Sequence, residues 1–394
     1  MDGPHLEECP PEDVRPFSRV KVGKPILPLK DGEYVDHADD TYNTLTKDDA
    51  KLTDELQKAL DQGKDLVLCP GIFFLTKPLV IKTPNQVILG LGLATLVAPQ
   101  DGSPCIRVNA NTPGVRIAGI MLEASVQRKG LPLLNRNKDH VKSLIDFGEP
   151  DVADPGDTNN PGLLSDIFAR VGGSNLNRKV STDIMIRVHS GNVVGDNLWL
   201  WRADHVKLAN GEAPNDPNFP LYHQVRIVDE EGKEVNECIV KTCLEVRGDD
   251  VKMYGLFCEH AVEHQMIWKE ERGTLNFFQC ELPYDVDTDF AKEGFVGNVV
   301  HPDVKKDTGR GIGVYCNFQV NDVVALSGMR YPNEKGVSLE SPFTVFLNNK
   351  GGIKTVLKEG DTLFGVSANP MNKISRAWVG KKNQFLSSFV QKLL

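Results

Sequence analysis

The sequence predicts an all-β protein, a single-stranded right-handed parallel β-helix with one short N-terminal helix and long loop insertions. Three observations predict it. Beyond residue 63 the chain breaks into short runs rich in Val, Ile, Leu and Phe, bounded by Gly, Asn or Asp, the pattern of strands that end in turns. Four of these runs share one design, starting at Gly114 (GVRIAGIML), Gly191 (GNVVGDNLWL), Asp249 (DDVKMYGLF) and Gly273 (GTLNFFQCE). Each has a turn residue, an aliphatic residue, three variable positions, then a small or polar residue and an apolar pair. The step from Val251 to Leu275 is 24 residues, about one coil of a β-solenoid. Such coils stack like on like, because each buries its inward side chains on the coil below. A sandwich of hairpins would need tight N-G or D-G turns, and these are scarce, Asn210–Gly211 being an exception in an expected insertion.

Taken in order, residues 1–47 are rich in Pro, Gly and Asp and read as an irregular arm. A cap helix is predicted over about 48–62, with Leu52, Leu56, Ala59 and Leu60 at helical spacing. Thr46 stands where an N-cap belongs and Gly63 where a C-cap belongs. The β-helix domain then runs over 48–378, interrupted by insertions at about 124–165 and 206–236. Loops of that size on a solenoid build one wall of a groove. Residues 379–394 form an amphipathic tail, apolar at Phe385, Leu386, Phe389, Val390, Leu393 and Leu394. It reads either as a docked capping helix or as a helix that binds a protein partner.

Charge and cysteine usage narrow the function. The net charge of -9 offers no basic face, so nucleic acid is not an expected partner. The eight cysteines include no C-x-x-C and no zinc spacing, so no metal site is predicted from them. Several lie in apolar strands and read as buried free thiols, with one or two disulfides left open. No stretch is long and apolar enough to be a transmembrane segment. The opening residues lack the apolar run of a leader peptide, which fits a cytosolic protein and equally a mature chain from which a signal was removed.

Carboxylates and aromatics gather in three blocks. Asp204, Glu259 and Glu281 close the strands that carry Trp199, Trp201, Phe257, Phe277 and Phe278. Glu259 and Glu281 are 22 residues apart, close to one coil, so they are expected on adjacent rungs. Two such carboxyls suit glycoside hydrolysis: one donates a proton to the leaving oxygen while the other activates water or attacks the sugar. Glu281, Glu259 and Asp204 are therefore the catalytic candidates, the alternative for each being a solvated acid at a strand end. Trp199, Trp201, Trp268 and Tyr284 are candidates for substrate stacking, and His205 and His260 for holding a hydroxyl or orienting a carboxylate. Alternation puts Trp199 and Trp201 on one face, either in the core or on the surface. At least one of Phe277 and Phe278 is expected in the core.

Asp285, Asp287 and Asp289 resemble the start of a calcium loop but lack the glycine and the glutamate of an EF-hand. No cofactor is otherwise expected. Calcium with a basic residue would be lyase chemistry, for which Arg202, Arg272 and Arg310 are candidates; the acidic net charge argues against a polyanionic substrate. A phosphate-binding loop is absent, since GLGLAT at Gly90 lacks the third glycine of the dinucleotide fingerprint.

The run DLVLCPGIFFLTKPLVIKTPNQVILGLGLATLVA, from Asp65, resembles the opening coils of the pectate-lyase-like superfamily found in family 55 β-1,3-glucanases. The blocks LLSDIFARVGGSN, GDNLWLWRADH, VRGDDVKMYGLFCEH, IWKEERGTLNFFQCELPYD and GRGIGVYCNF are similar to bacterial secreted β-helix proteins with coagulation factor 5/8-type domains, some labelled adenylyl cyclase. The resemblance covers roughly Asp65 to Asn317. It implies the parallel β-helix, a secreted location and hydrolysis of a neutral polysaccharide such as β-1,3-glucan; no residue supports cyclase chemistry. A non-catalytic glycan-binding or structural subunit and a polysaccharide lyase are the competing expectations.

Overall fold

The computed structural model describes residues 47–124, 140–172, 180–204, 227–228, 234–235, 238–347, 351–366 and 374–376. Two long sheets run side by side, and consecutive strands in each are almost all parallel. The chain alternates between the sheets, which makes the body a parallel β-helix, right-handed as such crossovers are. The strands that matter for function are β1 (Val87–Val97), β2 (Arg116–Glu123), β3 (Gly162–Gly172), β4 (Val193–Ala203), β5 (Lys252–Glu259), β6 (Gly273–Glu281), β7 (Lys306–Cys316) and β8 (Phe343–Phe346). They lie in this order in the first sheet.

Stacking in register builds the core. In the first sheet Leu96, Leu122, Ala169, Leu200, Cys258, Cys280 and Val314 form one inward column. In the second, Ile106, Ile145, Ile186, Leu244 and Met266 form another. All of these are buried, so each coil removes apolar surface from water on both of its neighbours. The seven described cysteines are all free, and all but the half-buried Cys69 are the buried thiols that their apolar setting implied.

Helix α1 (Lys47–Asp61) closes the first coil. Leu56, Ala59 and Leu60 face the core. Gln57 is hydrogen-bonded to both backbone groups of Val80, at 2.8 and 3.0 Å. Gly63 follows with φ of 70°, the left-handed conformation that ends a helix and suits glycine. At the far end the parallel order stops, and the strand Gly352–Glu359 pairs antiparallel with Thr362–Val366.

Three details differ from the sequence reading. The coil step is 22 residues here, because Met253, not Val251, lies beside Leu275. The segment expected as an insertion at 124–165 contains a rung of the second sheet, Ile145–Phe147, and the start of β3. The second insertion contributes a short antiparallel ribbon, Ile227–Val228 with Glu234–Val235. The arm before residue 47, Thr46, His205 and the tail at 379–394 lie outside the described residues.

Candidate active site

Past a bend in each strand, the first sheet presents two outward columns. One runs Met121, Phe168, Trp199, Phe257, Gln279; the other runs Glu123, Arg170, Trp201, Glu259, Glu281, Tyr315. Leu198 and Leu200 point inward, so alternation sends Trp199 and Trp201 out together. Trp199 is 41% exposed. Its indole lies flat on Phe168, centroids 4.4 Å apart, and next to Trp201 at 5.7 Å.

The expected pair of acids comes together. Glu259 and Glu281 are direct partners in the β5–β6 ladder, so their backbones are one strand spacing apart, about 4.8 Å. Trp199 Nε1–H donates to Glu259 Oε2 at 2.8 Å. Tyr284 O–H donates to Glu281 Oε1 at 2.8 Å. Burial raises the Glu259 carboxyl above the ordinary glutamate range, against the Trp199 hydrogen bond and the His260 charge, and the neighbouring Glu281 adds to the rise.

Behind Glu281 lies a buried polar chain. His260 closes β5 with φ of 68°, a bend that turns its imidazole under the rung; it is 1% exposed. Its Nδ1–H donates to Asp204 Oδ1 at 2.8 Å, and its Nε2 lies 3.6 Å from Glu281 Oε2. Burial alone would strip the proton from this ring, but Asp204 and then Glu281 push its pKa up to about 10. An imidazolium therefore sits between two carboxylates. Arg202, fully buried, donates to both oxygens of Asp285 at 2.8 and 2.6 Å and to Asp204 at 3.3 Å. Desolvation disfavours that guanidinium, and Asp285 with Asp204 more than restores its charge. Tyr284 packs on His260 with ring centroids 4.3 Å apart. Burial, then the Glu281 charge, holds its hydroxyl protonated well beyond the ordinary range.

Several expected roles are corrected by this arrangement. Asp204 is 2% exposed and holds His260 and Arg202 beneath the face rather than opening onto it. Tyr284 grips Glu281 from within, and His260 lies against Asp204 and Glu281, the carboxylate-orienting one of its two expected roles. Trp268 is 1% exposed and stacks in register with Val246 and Val300 in the second sheet, so it fills the core. Phe278 is in the core while Phe277 is outside. The calcium candidates are dispersed: Asp285 holds Arg202, Asp287 caps helix α2 (Thr288–Lys292) through the Asp289 N–H, and Asp289 pairs with Lys292. Among the described residues no three His, Cys, Asp or Glu side chains converge as a metal-ligand set. The three arginines that a lyase would use are each engaged by carboxylates: Arg202 as above, Arg272 by Asp249 and Asp250, and Arg310 by Glu340.

Two parts of the site escaped the sequence reading. Phe168 extends the indole stack; its signal was its place two residues after the bend, matching Trp199. The Arg202–Asp285 pair spans 83 residues and left no local mark.

Fold and site together define a parallel β-helix protein with an aromatic face set beside paired carboxylates. The LAM55 pectate lyase-like domain matches residues 46–281, and the chain belongs to that family. An exo-beta-1,3-glucanase from Streptomyces sp. (strain SirexAA-E / ActE) is 30% identical over 327 residues, which is 81% of this chain and 47% of that protein. The structure of sacteLam55A from Streptomyces sp. SirexAA-E superposes with a TM-score of 0.67 at 26% identity, over 83% of this chain and 52% of that one. Its glutamate-to-alanine variant, solved in complex with glucose, gives the same figures. The chain thus spans about half the length of the relatives it matches, and the expected resemblance to family 55 glucanases holds.

Proposed function

We propose that the chain is a glycoside hydrolase that cleaves a neutral β-1,3-glucan by carboxylate acid/base chemistry. One observation carries the reading: the register sets Glu259 beside Glu281 on the outer face, against the outward Trp199 and Trp201. The environments of the two acids divide the labour. Burial favours the protonated form of Glu259, which suits the general acid that protonates the leaving oxygen. Glu281 faces the His260 imidazolium and accepts from Tyr284, which suits the carboxylate that activates water or attacks the sugar. The apolar faces of sugar rings stack on flat aromatic surfaces, and Phe168, Trp199 and Trp201 supply one. The relative named as an exo-beta-1,3-glucanase supports a neutral glucan as substrate.

The stack would also bind a glycan with no chemistry following, and a glycan-binding subunit is the second reading. Incubation with laminarin, lichenan, xylan and polygalacturonate separates the two. Hydrolysis releases reducing ends from laminarin and loses them in Glu281→Gln. Binding of laminarin without release of ends from any of the four supports the second reading. Unsaturated, ultraviolet-absorbing product from polygalacturonate contradicts both.

A further inference from the structure

Each coil of the first sheet bends at one residue in the left-handed region. In register these are Gly119, Asp166, Asn197, Gly255, Phe277, Gly311 and Ser341, with φ of 66, 51, 55, 63, 60, 64 and 54°. Glycine, asparagine and aspartate accept this conformation at little cost, whereas for a bulky aromatic it is a true outlier. Leu93, also left-handed, sits in the bulge where β1 shifts register against β2. Phe277 therefore occupies a regular, unbulged bend with the wrong kind of residue for the backbone.

Packing does not explain the choice. Phe277 is 62% exposed, so most of its ring stays in water. Its aromatic neighbour is Phe257, edge-on at 5.9 Å. The bends on both sides are the glycines Gly255 and Gly311, and a Cβ on Gly311 would meet nothing closer than the Phe277 Cα at 3.9 Å. A side chain that neither relaxes its backbone nor fills the core is retained for what it contacts, since strain of this kind collects at functional sites.

The ring continues the aromatic row. Phe257 lies in register with Trp199, which stacks on Phe168, so Phe168, Trp199, Phe257 and Phe277 run along the helix axis. On its own strand Phe277 is four residues from Glu281, no more than about 13 Å. The polar side chains beside it are the amides Asn276, preceding it, and Gln279, between it and Glu281, which donate to and accept from neutral hydroxyls. Arg310 on the next strand is paired with Glu340, so that guanidinium is already matched by a carboxylate.

We infer that Phe277 is a sugar-stacking residue that seats one ring of a neutral β-glucan at the far end of the aromatic row from Trp199. The inference rests on the glucan reading of the Glu259–Glu281 face. It explains why β6 alone carries an aromatic at its bend: the residue is fixed by the ligand and tolerated by the fold.

The test uses the full chain carrying Glu281→Gln, so that ligand is not consumed, with laminarihexaose as probe. Phe277→Asn and Phe277→Gly place at this bend the residues found at its neighbours, so both variants fold. Their melting temperatures are expected unchanged or higher, while calorimetry gives affinity weaker by about fivefold to tenfold. Phe277→Trp keeps the affinity. Wild-type-like affinity in the Asn and Gly variants overturns the inference. So does a concentration-dependent dimer in sedimentation that these substitutions dissolve with affinity unchanged, because the ridge then serves a second copy of the chain. A parent chain that binds the hexaose while the unsubstituted protein releases no reducing ends defeats the hydrolase reading alone. A parent that binds no hexaose defeats both.

Discussion

Glu245 and Glu259 emerge from the same coil on opposite faces of the helix, and the two faces treat them differently. Glu245, on the second sheet, is nearly inaccessible, and burial alone would raise its pKa. Arg247 and Lys269 both donate to it, and together they hold it below the ordinary range. Glu259 is also largely buried, but its neighbours are an indole N–H, an imidazolium and a second carboxylate, and it ends above that range. At Glu245 one face matches the acid with two bases and so builds structure. At Glu259 the other sets acid beside acid, an arrangement that costs stability and is retained where chemistry needs it.

The comparison breaks most easily at its catalytic end. Glu281→Gln is expected to lower reducing-end release from laminarin by about 10²- to 10⁴-fold, whereas Glu245→Gln leaves the rate within a factor of about two. Equal losses from the two substitutions would erase the distinction between the faces.

Next in size are the buried supports. Asp204→Asn removes one partner from His260 and Arg202 while both stay desolvated, which costs about 3–5 kcal/mol in a urea melt. Trp268→Ala opens the core for about 3–5 kcal/mol, while Trp199→Ala on the surface costs about 1 kcal/mol or less and weakens laminarin binding instead. A Trp268→Ala protein that is stable but fails to bind would return that residue to the site.

Proton linkage sharpens the contrast further. The His260 pKa is raised to about 10 in the fold, above its unfolded value near 6.5. Its contribution is therefore complete below about pH 6.5 and is lost as pH rises through about 10. Urea midpoints should fall across that window, and less so in Asp204→Asn. Glu245 has the opposite sign. Its depressed pKa gives stability above the unfolded value near 4.3, lost as pH falls through the folded one. A loss of about 1 kcal/mol is therefore expected in Glu245→Gln at pH 7, and it vanishes in acid.

The sequence showed most of the fold because coils repeat their punctuation. In three of the four runs the small or polar position proved to be the bend residue, at Gly119, Asn197 and Gly255, whereas in the fourth the bend fell on Phe277. The pairing of Glu259 with Glu281 was legible for the same reason, since 22 residues is one coil. The sides taken by side chains were legible only where alternation is long. Trp199 and Trp201 lie in an eleven-residue strand, whereas Trp268 ends one of three residues, too short to reveal its face. Asp204 and His260 looked like groove acids and bases because strand ends usually reach solvent. The left-handed turn at His260 folds that end inward instead. Arg202 and Asp285 meet only because successive coils stack, and no local pattern records that meeting.

The division of roles between the two carboxylates is tested most directly by changing the leaving group. A dinitrophenyl β-glucoside departs without help from an acid, whereas a glucan linkage does not. Glu259→Gln is expected to lose laminarin hydrolysis while keeping most of its rate on the activated glucoside, and Glu281→Gln to lose both. A Glu259→Gln protein that still cleaves laminarin at the wild-type rate would contradict the assignment.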